Sequence, residues 1–329
     1  MKKYKKIFLT SMLALILGAL ILGSLILYGF ANPDVIRASD EKIRLKQGLY
    51  KQPIEKVIVV EEDVDTVLIN IPSKSVSIVD SDVEKITITY YEDYEGETQY
   101  QITDKTLNFE LSNKKIIFNV ELLSWIYKDY RKVNSVRIEI PHGLILDYNV
   151  ALSSGNLRFD KITTVALKAN VKSGNISINN LSANNAELKL SCGNLTINNS
   201  NFAQNLSSKN DCGNVIITST TSEAMQSYVS CGNTSIADCV ALTLKATSKS
   251  GNITLERLQA NDMTINNSSG NIKIYELVYQ LDDYSYSLKT SSGYVKVNGS
   301  KKGNYYEHLD SQKLYNLTAS VSSGNIIIN

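Results

Sequence analysis

Apolar and polar residues alternate with a period of two over most of the chain, and a Ser/Cys-Gly-Asn triplet interrupts the alternation at regular intervals. The triplet glycines are Gly155, Gly174, Gly193, Gly213, Gly232, Gly251, Gly270, Gly293 and Gly324, with successive spacings of 19, 19, 20, 19, 19, 19, 23 and 31. The following residue is Asn156, Asn175, Asn194, Asn214, Asn233, Asn252, Asn271 and Asn325 in eight cases, and Tyr294 in the ninth. Four positions after each glycine stand Phe159, Ile178, Ile197, Ile217, Ile236, Leu255, Ile274, Val297 and Ile328, all apolar. Two positions after, Thr234 is the one polar residue among Leu, Ile and Val. Period two predicts strands with one buried face. The triplet predicts a tight turn, because Gly accepts positive φ and Asn tolerates the left-handed region.

Each repeat is therefore one rung: strand, Gly-Asn turn, strand, second turn. A single rung cannot bury its apolar face, and parallel stacking in register buries a continuous column of Ile and Leu. The expected fold is an all-β, single-stranded parallel β-solenoid over 148–329, its nine rungs spanning about 43 Å at about 4.8 Å each. Residues 54–147 follow the rhythm less regularly, with Ser73-Lys74-Ser75 in the place of a triplet, and are expected to form an irregular β cap. Glu121–Lys132, with Trp125, Tyr127 and Tyr130, is expected to pack on that cap as a loop, with a contact role as the alternative. An insertion, 299–315, precedes the last strand, Asn325–Asn329, which is expected to leave an open sheet edge. Such edges are normally protected. Either the Tyr-rich insertion folds over it or another molecule pairs there, a second copy included.

The first residues break the pattern. Residues 1–6 carry four lysines, and Ile7–Phe30 is a run of 24 residues without a charge. As a helix it would measure about 36 Å, enough to cross a bilayer core of about 30 Å. The lysines orient it with the N-terminus in the cytoplasm and the remainder outside. A transmembrane signal-anchor is expected at 7–30, followed by a juxtamembrane spacer at 31–53. The rival is a signal peptide cleaved after Ala31, for which Gly29-Phe30-Ala31 offers the small residues. Both readings export the chain.

Charge and chemistry narrow the function. Lys+Arg 34 against Asp+Glu 33 gives a formal net charge of +1, which lacks the footprint of a nucleic-acid binder. Two histidines, His142 and His308, stand far apart in sequence. Asp160, Asp211, Asp238, Glu256 and Asp262 fall at scattered rung positions, and the adjacent Asp282 and Asp283 would point to opposite faces of a strand. No catalytic residue is expected, and no cofactor. Cys192, Cys212 and Cys231 hold the same position in three consecutive rungs, which six other rungs fill with Ser, so a stacked column of small buried side chains is expected. Free structural thiols are the simpler reading. One disulfide within the column, with the odd thiol left to Cys239, is the other. A linear column cannot converge tetrahedrally on a metal.

The Ser-Gly-Asn rungs, the phrase Val136-Arg137-Ile138-Glu139-Ile140-Pro141-His142-Gly143 leading into them, and the N-terminal apolar segment together resemble a β-strand-repeat family of unknown function. That family occurs mainly in Gram-positive bacteria, its members are often labelled candidate adhesins, and some accompany envelope-stress signalling. The resemblance covers roughly 54–329 and implies no catalytic residues. It implies Asp after the rung glycine, where this chain has Asn. Stacked carboxylates would repel or take up cations, whereas amides stack as a neutral hydrogen-bonded ladder. The expected function is a non-catalytic, membrane-anchored, extracytoplasmic binding or scaffold protein contacting cell wall or surface polymer. The alternative is an accessory regulator of an envelope-stress system acting through a membrane signalling protein. A polysaccharide-active β-helix enzyme is the remote third.

Overall fold

The computed structural model describes residues 54–92, 98–111 and 134–329, all within one compact unit. The expected anchor (7–30), its flanks (1–6 and 31–53) and the 121–132 loop lie outside the described residues. Among the described residues no helix is long and apolar enough to cross a membrane, and the helical content is one 3-10 turn, Leu281–Asp283.

Among the described residues two sheets, of 14 and 13 strands and parallel through the body, build the solenoid. A typical rung runs through a long strand, Ser182–Cys192, a Gly193-Asn194 corner and a short strand, Leu195–Asn198. From it Ala186, Leu188, Leu190, Leu195 and Ile197 point inward, each at most 3% exposed. Equivalent positions stack on equivalent positions, as Leu190 on Val171 and Ile197 on Ile178. That register is what buries the apolar face of every rung against its neighbours. The second corner uses a non-glycine left-handed residue in the rungs from Gly155 to Gly251, namely Lys161, Asn180, Asn199, Ser219, Asp238 and Arg257, with φ between 48° and 57°.

The ends do not follow chain order. At the C-terminal end Tyr315–Ser323 lies between Gln259–Ser269 and Tyr284–Ser292, parallel to both. Ile326–Ile328 likewise lies between Ile272–Tyr275 and Val295–Val297. The expected open edge at Asn325–Asn329 therefore does not exist, because that strand has a partner on each side. The outermost rung is the Gly293 rung, and the insertion covers it: Tyr305–His308 and Ser300–Lys301 pair with it antiparallel. At the other end the Lys74 rung, formed by Thr66–Ile71 and Ser75–Ser81, lies against the Gly155 rung. A further rung of Thr106–Leu111 and Ser135–Pro141 stacks outside it. Antiparallel strands at Thr98–Thr103, Thr87–Glu92 and Ile54–Val59 close that end.

Candidate interaction surfaces

The corner glycines form one stacked column. Each has φ between 123° and 149°, a region L side chains rarely adopt. A Cβ on any of them would also meet the backbone of the corner one rung before at less than 3.0 Å. Gly155 meets the carbonyl of Lys74, Gly324 that of Gly270, and Gly293 that of Gly324.

Beside it runs the amide ladder. The backbone N–H of Asn175 donates to Oδ1 of Asn156 at 2.9 Å, and the same bond recurs at Asn194, Asn214, Asn233, Asn252, Asn271 and Asn325, at 2.9–3.0 Å. The ladder begins where Asn156 N–H donates to Ser75 Oγ (3.1 Å) and ends where Tyr294 N–H donates to Asn325 Oδ1 (3.1 Å). It uses the Asn side chain as an acceptor toward the next rung's backbone, with amide-to-amide bonds added at some steps, such as Asn175 Nδ2 to Asn156 Oδ1 at 3.0 Å.

Cys192, Cys212 and Cys231 stack in register, Cys192 on Cys212 and Cys212 on Cys231. They are exposed, contrary to the expected buried column, and so are the serines at the same position, such as Ser154 and Ser173. Strict alternation would have turned this position inward, but the corner begins here and breaks the phase. Cys239 is the buried cysteine, and desolvation pushes its thiol up to about 11. Among the described residues no group of three or more His, Cys, Asp or Glu is placed to hold a metal ion.

The outward face of the long-strand sheet is the most distinctive surface. Lys168, Lys172, Lys189, Lys209, Lys245 and Lys249 project from it, all exposed. Lys189 stands directly opposite Lys209, and Lys209 opposite Tyr228. Like charges in register repel. Glu187 pairs with Lys189 and lies 3.9 Å from Lys168, and Asp211 lies 4.0 Å from Lys209. The Nζ atoms of Lys209 and Lys249 sit 6.0 and 5.9 Å from the Tyr228 ring centroid. A hydrogen bond from Ser230 and the Lys249 ammonium hold the Tyr228 phenol below its ordinary range. Sequence reading missed this face, because the lysines sit at three different offsets from the glycine and converge only when the rungs stack.

Two further features lie at the ends. His142 follows Pro141, and its Nδ1 and Nε2 lie 2.8 and 2.7 Å from carboxylate oxygens of Asp80 and Asp82. Those hydrogen bonds raise its pKa above the ordinary histidine value. At the opposite tip a cavity of about 210 Å³ is lined by Tyr286, Tyr306, Asp282, Lys302, Asn298 and Val297. His308 packs 5.9 Å from the Tyr286 ring, so the two histidines occupy opposite ends.

The sequence model of Toastrack DUF4097, a domain of unknown function, matches residues 64–329. No curated protein matches the chain. Among solved structures it is similar to a candidate adhesin from Bacteroides fragilis, at 14% identity and TM-score 0.40, covering 85% of this chain and 97% of that one. It is also similar to a candidate cell adhesion protein from Clostridium sporogenes, at 14% identity and TM-score 0.28, covering 84% and 99%. A third likeness is a candidate lipid binding protein from Parabacteroides distasonis, at 14% identity and TM-score 0.30, covering 84% and 97%.

Proposed function

The chain belongs to the Toastrack DUF4097 family, and we propose that it acts without catalysis as an adhesin-like or cell-envelope scaffold protein, exported and membrane-anchored, that grips an anionic wall or surface polymer. The observation that supports this reading is the lysine face around Tyr228, held rigid by a ladder of backbone and amide bonds. Preorganisation matters because many weak contacts add up only when little ordering entropy is lost on binding. A row of ammonium groups on a fixed lattice suits a linear polyanion, and Tyr228 adds an aromatic surface. The polymer's counterions would be released on binding, so affinity should fall with salt.

In-cell crosslinking of the tagged full-length protein, followed by mass spectrometry, tests the reading. Crosslinks to wall polymer, surface proteins or its own copies support it. Crosslinks confined to a membrane sensor or transporter would replace it with the accessory-regulator reading. Lys209→Glu with Lys249→Glu should lower retention on isolated cell wall about tenfold at low salt, and unchanged retention would remove the lysine face from the account.

A further inference from the structure

The corner before each rung glycine is exposed, and six rungs fill it with Ser. Packing therefore does not demand Cys at 192, 212 and 231. What sets these three apart is adjacency, since they occupy consecutive rungs in register. Neighbouring strands lie about 4.8 Å apart, inside the Cα range of about 4.4–6.8 Å that a disulfide tolerates. Two rungs span about 9.6 Å, outside it. Cys212 can therefore bond either neighbour, whereas Cys192 and Cys231 cannot bond each other. The side chains leave the stack in parallel, so the bond asks their Cβ atoms to close to about 3.8 Å.

The core beneath supplies a reason and a choice of partner. The Gly193 rung fills its interior with Leu188, Leu190, Leu195 and Ile197. The Gly213 rung places Ser208 and Asn210 there, and the Gly232 rung Ser227 and Thr234, each at most 3% exposed. Asn210 Oδ1, Ser227 Oγ and Thr234 Oγ1 have no hydrogen-bond partner; the next two rungs also carry such an atom, Ser248 Oγ and Asn267 Oδ1, but each places only one polar residue among these inward positions. Buried polar atoms without partners weaken packing. The two rungs with the least apolar interiors are thus the two that carry Cys212 and Cys231.

We infer that Cys212 and Cys231, free thiols in this structure, oxidise to a rung-to-rung disulfide that staples the solenoid where its core is weakest, leaving Cys192 as a reactive surface thiol. The oxidant is a small-molecule disulfide. One cysteine thiolate attacks it and releases one thiol, forming a mixed disulfide; the second thiolate attacks that bond and releases the other. Two protein thiols lose two protons and two electrons, which the oxidant takes up to become two thiols. Cys239 takes no part, being buried with its Sγ hydrogen-bonded to the Ala237 carbonyl.

The test treats the reduced full-length protein with glutathione disulfide, then reads intact mass and peptide maps. The expected product has a Cys212–Cys231 crosslinked peptide and one glutathione adduct, on Cys192. Cys212→Ser should carry adducts on both Cys192 and Cys231 and no internal bond, while Cys192→Ser keeps the bond. Serine is the natural occupant of this corner, and circular dichroism checks that both variants fold. Oxidation should raise Tm by about 5 °C or more in the wild type and in Cys192→Ser, and leave Cys212→Ser unmoved. Adducts on all three cysteines of the wild type, a Cys192–Cys212 bond instead, or a bond without a rise in Tm would each overturn the inference.

Discussion

The two ends of the solenoid solve one problem with opposite exceptions to the repeat. At the N-terminal end the glycine position is filled by Lys74, and its neighbour Ser75 still accepts the N–H of Asn156. At the C-terminal end the glycine is kept, as Gly293, and the Asn position is given up to Tyr294. The columns are directional. Each glycine is demanded by the rung before it, whose carbonyl would meet a Cβ. Each Asn side chain serves the rung after it, whose N–H it accepts. The amide rule therefore lapses at the last corner, and the glycine rule holds from Gly155 onward, each glycine lying on the corner before it. The Tyr294 ring is covered instead by Lys301, whose Nζ lies 4.4 Å from the ring centroid. Lys74, in the glycine's place, buries its side chain and donates to the Tyr91 carbonyl in the N-terminal cap.

Substitutions at the two ends separate these rules. Gly213→Ala should have the largest effect, destabilising by about 3 kcal/mol or more, because φ and the preceding carbonyl both oppose a Cβ. Gly293→Ala should lose hydrogen-exchange protection in the outermost rung, since Gly324 lies beneath it; unchanged protection would break the directional account. Asn233→Ala should cost about 1 kcal/mol in urea unfolding by leaving the Asn252 N–H without its acceptor. Tyr294→Ala should cost clearly less, having no further rung to serve. Replacing Asn214, Asn233 and Asn252 together by Asp keeps the acceptors but stacks three charges, for about 0.5 kcal/mol per adjacent pair at low salt. That variant should recover in millimolar calcium, which should leave the wild-type Tm unchanged.

The smallest effect belongs to the N-terminal end. The folded pKa of His142 is raised by its hydrogen bonds to Asp80 and Asp82. Its contribution is therefore complete below the unfolded value of about 6.5 and is lost as pH rises through the higher folded value. Protection factors of the amides in residues 75–92, corrected for the intrinsic rise of exchange with pH, should fall across that window, and His142→Gln should abolish the fall while protection factors at the C-terminal end stay constant.

The rungs were legible because period-two alternation and a fixed triplet leave a stacked parallel arrangement as the way to bury every Ile at once. The order of the end rungs was not. In-register stacking depends on a motif that all rungs share, so nothing in the Gly324 triplet says whether it sits above or below Gly293. The one local clue was Tyr294, which marks the rung with no successor. The exposed cysteines were misread because alternation was carried one residue past the point where the corner ends it. The lysine face escaped because its members come from different strands. Toward the N-terminus, the anchor expected at 7–30 remains a reading of charge and apolar length.

The inserted final strand has a kinetic consequence. Through the body each new bond closes a span of 19 or 20 residues, as between Asn175 and Asn194, so ordering can spread by neighbour addition. Asn325 reaches back 54 residues to Asn271. By loop-closure entropy alone that step costs about 1 kcal/mol more than a body step. Folding should then show a fast phase of zippering and a slower phase in which the far end is threaded beneath a rung made earlier in the chain.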